Sequence, residues 1–480
     1  MNGELRNPAP IQDAGPDGTA DLTADVIVVG AGFTGLSAAL ELATRGHRVR
    51  IVERDPEIGG LAGSFDVGGG RRIERFYHHW FASDEEILRL CAELGVSDAV
   101  EAHVTRTGMF YANSIYRLSR PTDLLRFAPL PLRDRLRLGL LALRAQRVKD
   151  WRELEHRTAE EWLVSLGGRR VYDVVWRPLL EGKFGHYADQ VGATWMWTKL
   201  HLRGGSRTKS GSETLYYLRG GSETLLTALH KRLTALGVDV LTDTPVGSVT
   251  FQDGRVSGVR TVAGELLPAR QVLLTVAPEQ AAALLESGPS GDEPHPAAPA
   301  LLRQLRRVPY LANVCLVLEN NRRLSDTYWL NVNDPSFPYV GVIEHTNMDD
   351  PGRYGGKHVV YLSKYLPADA ELYRMSDEEV FDHSLPHLRR MFPRFDRSWV
   401  DDYHVWRAEH AQPVITPGYR EDMPPLETRL PGLYLASMAQ VFPEDRGTNY
   451  AVREGRSAGR LMADRLRTLP AARATEASRD

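Results

Sequence analysis

Cysteine is nearly absent: Cys91 and Cys315 are the only two in 480 residues. That excludes a disulfide framework, and neither cysteine has the spacing of a metal site, so no metal ligand set is assigned. A reducing, cytoplasmic setting is the expectation. Long apolar runs are also missing, and none approaches the ~20 residues that span a bilayer. Charge of one sign is missing too. Fifty-nine Lys and Arg face 62 Asp and Glu, for a net charge of −3, which excludes a global attraction to nucleic acid. There is no internal repeat and no low-complexity tract. Residues 1–24, rich in Ala, Pro, Gly and Asp, have no apolar segment of signal-peptide type and read as a disordered tail. Residues 469–480 read as a second tail. What remains is ample for a large core and two or three interwoven domains.

The most informative stretch runs from Asp25 to Ser64. Val26 to Val29 read as a buried parallel strand. Gly30, Gly32 and Gly35 follow as G-x-G-x-x-G, with Phe33 and Thr34 between the last two. A helix is predicted to Arg45, stopped by Gly46, and Val49 to Val52 form a second strand that closes on Glu53. Each glycine has a physical task. Gly30 permits the tight turn, Gly32 lets a pyrophosphate approach the backbone, and Gly35 lets helix and strand pack closely. The helix start offers N–H groups and a positive dipole end to phosphates. Glu53 is placed for ribose hydroxyls and would repel a 2′-phosphate. Only one such fingerprint follows a strand, so a separate NADPH domain is not expected.

Arg54-Asp-Pro-Glu-Ile-Gly59-Gly60-Leu61-Ala62-Gly-Ser64 resembles the glycine-pair extension of the glutathione-reductase-type FAD domain. Leu430-Pro-Gly-Leu-Tyr-Leu-Ala-Ser437 and Glu444-Asp445-Arg-Gly447-Thr448-Asn449-Tyr450-Ala451-Val-Arg-Glu-Gly-Arg-Ser-Ala-Gly459 resemble the late strand, loop and helix that close over the flavin. Together these segments are similar to the flavoprotein superfamily of amine oxidases, protoporphyrinogen oxidases, phytoene desaturases and UDP-galactopyranose mutases. The resemblance spans most of the chain, is specific at both ends and loose between them. It implies an α/β fold with a Rossmann FAD domain, interwoven with a mixed-sheet substrate domain and a helical subdomain. It implies non-covalent FAD, held by Gly30, Gly32, Phe33, Thr34, Gly35, Glu53, Arg54, Gly59, Gly60, Leu61, Ala62 and Ser64. The same site would take Val246, Ala277, Asp445, Gly447, Thr448, Asn449, Tyr450 and Ala451. Asp445 would meet ribitol hydroxyls, and the helix opened by Asn449, Tyr450 and Ala451 would face the pyrimidine edge of the flavin.

The implied organisation interleaves the domains. Residues 25–75, 216–285 and 426–468 build the FAD domain, 76–215 a helical and substrate region, and 286–425 a substrate domain. Val246 to Phe251 and Arg255 to Val262 flank Asp253-Gly254, a hairpin signal. Ser287 to Pro299 reads as a surface linker.

Two internal clusters could carry substrate chemistry. Arg71-Arg-Ile-Glu-Arg75-Phe-Tyr-His78-His79-Trp80 follows the FAD segment closely enough to lie beside the ring. Arg75, His78 and His79 are its catalytic candidates, because histidine suits proton transfer near neutral pH. A structural His pair beside aromatics fits the pattern equally well. The second cluster holds Arg177, Lys183, Trp195, Trp197, Lys199, Arg203, Arg207, Lys209, Tyr216 and Tyr217, which could form an anion pocket floored by rings; aromatic core and solvated cations are the plainer alternative. Arg177, Trp197, Lys199, Arg203 and Tyr217 are its substrate candidates.

Leu124 to Lys149 alternates leucines with arginines, and reads as a surface helix packed on the domain or as a peripheral contact with the inner membrane face. The expected function is an FAD-dependent oxidoreductase that takes hydride from a bulky organic, lipid or nucleotide-linked substrate, with oxygen, a quinone or another protein as acceptor. A redox-neutral nucleotide-sugar mutase and a non-catalytic flavin carrier are the alternatives.

Overall fold

The structure, a computed structural model, describes residues 24–117, 121–205, 213–287 and 297–468; side chains at 121–122, 202–205 and 213 are outside that description. Ala24–Val29 is the central strand of a seven-stranded sheet, flanked by Val49–Val52 and by the second half of Leu266–Leu274. Asp239–Leu241 and Leu433–Leu435 extend it, and these five run parallel. Val26, Ile27 and Val28 are wholly buried. A parallel strand covered on both faces loses the polar alternation, and the unbroken apolar run reports this.

The first half of Leu266–Leu274 bends out into an antiparallel meander with Arg255–Thr261 and Val246–Gln252. The hairpin between them forms where it is expected, with φ of 51° at Asp253 and 72° at Gly254, as a primed two-residue turn requires.

Phe33–Thr44 and the C-terminal helix Thr448–Thr468 lie side by side on one face of this sheet, beside Gly221–Ala235. Their approach is set by two glycines. A Cβ at Gly455 would lie 2.2 Å from the Thr34 carbonyl oxygen, and one at Gly459 would lie 2.8 Å from that of Ala38. The backbones meet at a distance that excludes any side chain. Pro278–Glu286 and Ala298–Leu305 cover the opposite face. The second of these begins inside the expected linker, whose residues 288–296 lie outside the described part.

The other seven-stranded sheet is mixed. Its order is Val400–Pro413, Tyr310–Asn320, His358–Leu366, Gly341–Glu344, Trp329–Val332, Thr107–Tyr111 and Ser114–Arg117. The region expected to be helix-rich therefore contributes two strands to it and a third, Val100–Thr105, which pairs with Glu213–Leu218. Ser114–Arg117 forms a local hairpin with Thr107–Tyr111, but the other partners of Thr107–Tyr111 and Val100–Thr105 lie more than a hundred residues away, where no local pattern displays the pairing. Helices Leu132–Arg147, Ala159–Gly167, Arg177–Phe184 and Ala193–Gly205 form the helical subdomain around Trp162, Tyr172 and Phe184.

Candidate functional site

The dinucleotide end is built from three glycine contacts. Gly30, at φ 105°, sits on Thr275, whose Oγ1 donates to the Val29 carbonyl at 2.8 Å. A Cβ at Gly35 would lie 2.0 Å from the Gly30 carbonyl oxygen. Gly32 differs: its backbone is extended, and a Cβ there would meet no protein atom within 4 Å. The chain keeps that position bare without needing to for its own packing, which is the form of a cradle for a ligand's pyrophosphate. Gly59 lies alongside, donating its N–H to Ala31 at 2.8 Å and bridging to Gly32. The glycine-pair segment thus faces the phosphate turn.

Glu53 is buried at the strand tip, where one carboxylate oxygen accepts the Ala31 N–H at 2.6 Å and the other the Asp55 N–H at 3.0 Å. An ionised carboxylate has further lone pairs, so ribose hydroxyls remain within its capacity. The Thr244 N–H donates to the Glu53 carbonyl at 2.8 Å, which ties the segment leading into Val246 to this strand tip. Ala277 starts the helix Pro278–Glu286, after a strand end tied to Val29 by Thr275. Arg54 points outward, beside Asp55 at 3.7 Å. Ser64 is tied to Arg72 and Glu223, and the Ala62 carbonyl accepts from Ser222 at 2.5 Å. Replacing Glu53 by Gln should weaken dinucleotide retention by about 1–3 kcal/mol, because charge-assisted bonds become neutral ones. Calorimetric titration of the apoprotein checks this; an unchanged affinity would put the ribose elsewhere.

The start of the C-terminal helix departs from expectation in its details. The Asn449 Oδ1 accepts the N–H groups of Glu86 and Ile87 at 2.9 and 3.1 Å. It caps the helix Glu85–Glu93 in place of Asp84, whose carboxylate accepts from the Phe81 N–H instead. The Ala451 N–H turns back to the Gly447 carbonyl at 2.9 Å, so the amides this terminus offers outward are those of Thr448, Asn449 and Tyr450. Thr448 Oγ1 accepts from the Trp80 indole at 2.9 Å, which joins the histidine segment to this helix. Asn449→Ala should cost about 1 kcal/mol through the lost cap. Urea unfolding should show that loss, and Asn449→Asp should restore it.

The two internal clusters merge into one. Asp445 is buried and its carboxylate is clamped by Lys199 at 2.5 Å, Lys183 at 3.5 Å and the Gln412 amide at 3.2 Å. The sequence assigns Asp445 to ribitol hydroxyls; the structure commits it to these cations. Burial opposes its charge, yet Lys183, then Lys199 and Arg446, hold its carboxyl well below the usual range. Lys183 is pushed down to about 7, mainly by burial, with Lys199 and Arg446 adding to the shift against Asp445. Its ammonium lies over Trp195 at 4.7 Å and Tyr365 at 5.4 Å. Arg446 donates to Tyr365 and to Gln412, and the Tyr365 hydroxyl lies 3.5 Å from that of Tyr77. A polar chain therefore runs from the basic cluster to the histidine segment.

His78 and His79 differ. The His78 Nδ1–H donates to the Phe76 carbonyl at 2.6 Å, and burial first, then Arg446, lower its pKa to about 4. It is a neutral ring at pH 7. His79 Nδ1 lies 3.0 Å from the Tyr328 hydroxyl, edge-on to Phe81 and Trp329. Both line a cavity with Phe33, Trp80, Tyr217 and Thr448. Arg75 lies 3.5 Å from Glu57 and stacks over Trp406 at 4.9 Å.

Two substrate candidates, Trp197 and Arg177, sit away from the basic cluster. Trp197 is core: its indole donates to Val148 at 2.9 Å and it stacks on His201. Trp195 is the ring beside the lysines. Arg177 pairs with Asp173 at 3.0 Å, one helical turn away, and lies over Tyr172. Tyr217 is buried with its hydroxyl on Glu74 at 2.7 Å. The side chain of Arg203, and all of Arg207 and Lys209, lie outside the described residues. Thr275, Gln412, Tyr365 and Arg446 are additions; Arg446 alone carries a signal, standing inside the Glu444–Gly459 motif. Two groups of metal-ligand type, Glu101–His103–Asp349 and Glu319–Asp402–His404, are crossed by Arg353 and by Lys357.

Residues 33–462 match the family described as flavin containing amine oxidoreductase, and the chain belongs to it. The expectation of a flavin-dependent oxidoreductase stands with that membership. ζ-Carotene desaturase of Arabidopsis thaliana is 27% identical over 42% of this chain and 39% of its own length. The chain spans about half or less of the curated relatives it matches. Among solved structures, an oxidoreductase of Methanosarcina mazei aligns at TM-score 0.67 with 18% identity, covering 92% of this chain and 99% of the other. A reduced UDP-galactopyranose mutase aligns at 0.69 with 15% identity, covering 91% and 95%. At such identities the likeness is one of fold.

Proposed function

We propose that the chain is an oxidoreductase that holds FAD without a covalent bond and takes hydride from a bulky, largely apolar substrate, with a carotene-like polyene as the first candidate. The observation that carries the cofactor is the bare Cα of Gly32, set between the glycine-pair segment and a helix start, with Glu53 at the ribose position. FAD, when bound, supplies the hydride acceptor. The chain positions it, with the Thr448–Tyr450 amides as the dipole end that favours negative charge on the reduced ring. Lys183, buried over Trp195 and Tyr365, lies at one end of the polar chain that leads through Tyr365 to Tyr77, beside His78. His78, kept neutral with Nδ1–H on a carbonyl, leaves Nε2 as an acceptor in the cavity wall.

The curated relatives act on carotenes by their names, which supports desaturation over the redox-neutral mutase reading. Arg177, one of the cations that would clamp a diphosphate, is paired with Asp173 instead. Oxygen, a quinone or a partner protein is the proposed acceptor. The test is to release the chromophore by acid, identify it, and reduce the holoprotein anaerobically with polyenes, amines and UDP-galactose in turn. FAD in the soluble fraction and bleaching by a polyene are expected. Flavin left on the polypeptide, or turnover of the nucleotide sugar without net bleaching, would overturn the reading.

A further inference from the structure

We propose that the helix Leu132–Arg147, with the turn at Leu125 before it, docks on an anionic lipid bilayer. Its buried face is Asp134, Leu138, Leu141 and Ala145, which packs on the helical subdomain beside Trp162 and Trp197. An ordinary surface helix would be polar opposite that face. This one carries Leu132, Leu136, Leu140 and Leu143, at 60%, 56%, 47% and 57% exposure, with Leu125 at 52%. At 3.6 residues per turn the four helix leucines fall within an arc of about 80°, opposite the buried face. They are not scattered: five of the nine exposed large apolar residues among those described lie in this one segment.

The charge around the stripe selects the occupant. Arg133, Arg137 and Arg144 project along one margin of the leucines, Arg147 follows the stripe at its C-terminal end, and all four are exposed. Arg135, on the other margin, donates to the Leu130 and Leu125 carbonyls and pins the preceding turn to the helix. From Leu124 to Lys149 there are seven cations and one acid, Asp134. That acid is buried and met by Arg137 at 3.0 Å. A second copy of the chain seated on the stripe would bring arginine margins together without acids to oppose them. An interface helix with leucines in the acyl boundary and arginines at anionic head groups satisfies both features. No helix among the described residues is long and apolar enough to cross a membrane, so the contact is peripheral. Val148, just beyond this helix, accepts the Trp197 indole of the helix that carries Trp195 and Lys199, which ties the docking helix to the one that bears part of the basic cluster.

The test uses the full-length holoprotein and extruded vesicles of phosphatidylcholine, with or without ~30% phosphatidylglycerol. Co-flotation with the anionic vesicles is expected, falling about tenfold on neutral vesicles and again in Leu136→Ser/Leu140→Ser. Arg144→Gln/Arg147→Gln, which leaves the Asp134 pair intact, should weaken binding and flatten its salt dependence. Both variants change exposed positions and should keep their flavin content and circular dichroism. Wild type that stays unbound on anionic vesicles would overturn the proposal, as would a leucine variant that floats like wild type. A wild-type dimer that the leucine variant converts to monomer would assign the stripe to self-association and overturn it too.

Discussion

Gly32→Val is expected to yield a folded, colourless protein. The position is extended and a Cβ there meets no protein atom within 4 Å, so the first carbon of a new side chain displaces nothing in the polypeptide. The side chain fills the space in which the pyrophosphate would lie against the turn. Cofactor affinity should fall at least a hundredfold, roughly 2.7 kcal/mol, with the unfolding midpoint of the apoprotein unchanged. Gly35→Ala is the control with the opposite logic. Its methyl would stand 2.0 Å from the Gly30 carbonyl oxygen, so the helix must move off the strand, at a cost of roughly 3 kcal/mol. One variant loses ligand without stability, the other stability first. Absorbance of the purified proteins and thermal unfolding of their apo forms separate the two. A yellow Gly32→Val with normal flavin stoichiometry would remove this turn from the cofactor site.

That pair also shows how much the sequence discloses. The glycine turn, the two flanking strands, Glu53 and the Asp253-Gly254 hairpin are local features. Their spacing and backbone demands are written within some thirty residues, and the structure places each where the pattern requires. The catalytic neighbourhood is legible only in part. Lys183 and Lys199 stand out as cations beside aromatics, yet their common partner is Asp445, more than two hundred residues away. Nothing in the spacing tells a cation that salt-bridges one turn along its own helix, as Arg177 does with Asp173, from one buried against a distant acid. Trp195 and Trp197 are equivalent as sequence; the helix turns one toward the lysines and the other into the core. Asn449 lies in a motif that suggests a ligand, and its side chain serves another helix. The leucines of Leu132–Arg147 show an amphipathic rhythm, but only the packing reveals which set is covered and which is bare.

Asp445→Ala should be the most destabilising of the substitutions at the basic cluster. The wild-type carboxylate neutralises Lys183, which little water reaches, and the half-buried Lys199, and removing one partner of such a group costs about 3–5 kcal/mol. The pH dependence carries the diagnosis. Lys183 is lowered from its ordinary 10.5 to about 7, chiefly by burial. Between those values the unfolded chain binds the proton that the native chain has released. Stability therefore rises with pH across that window, and the penalty is fully present below it. Asp445 works at the other end. Its carboxyl is held well below its ordinary value, so its contribution is complete above about pH 4 and is lost as pH falls through the native pKa. Without Asp445 that acid-side loss disappears. Lys183 loses the one group that raises its pKa, so its window of rising stability opens at lower pH. The variant should be weakest relative to wild type near pH 6 and recover part of the deficit by about pH 9, where Lys183 is neutral in both proteins. Lys183→Met in the Asp445→Ala background should restore stability at pH 6, because the uncompensated cation is gone. Urea unfolding of the four proteins of this double-mutant cycle, at both pH values, measures the coupling. A deficit independent of pH, with no recovery in the double variant, would mean that Asp445 is not what keeps Lys183 charged.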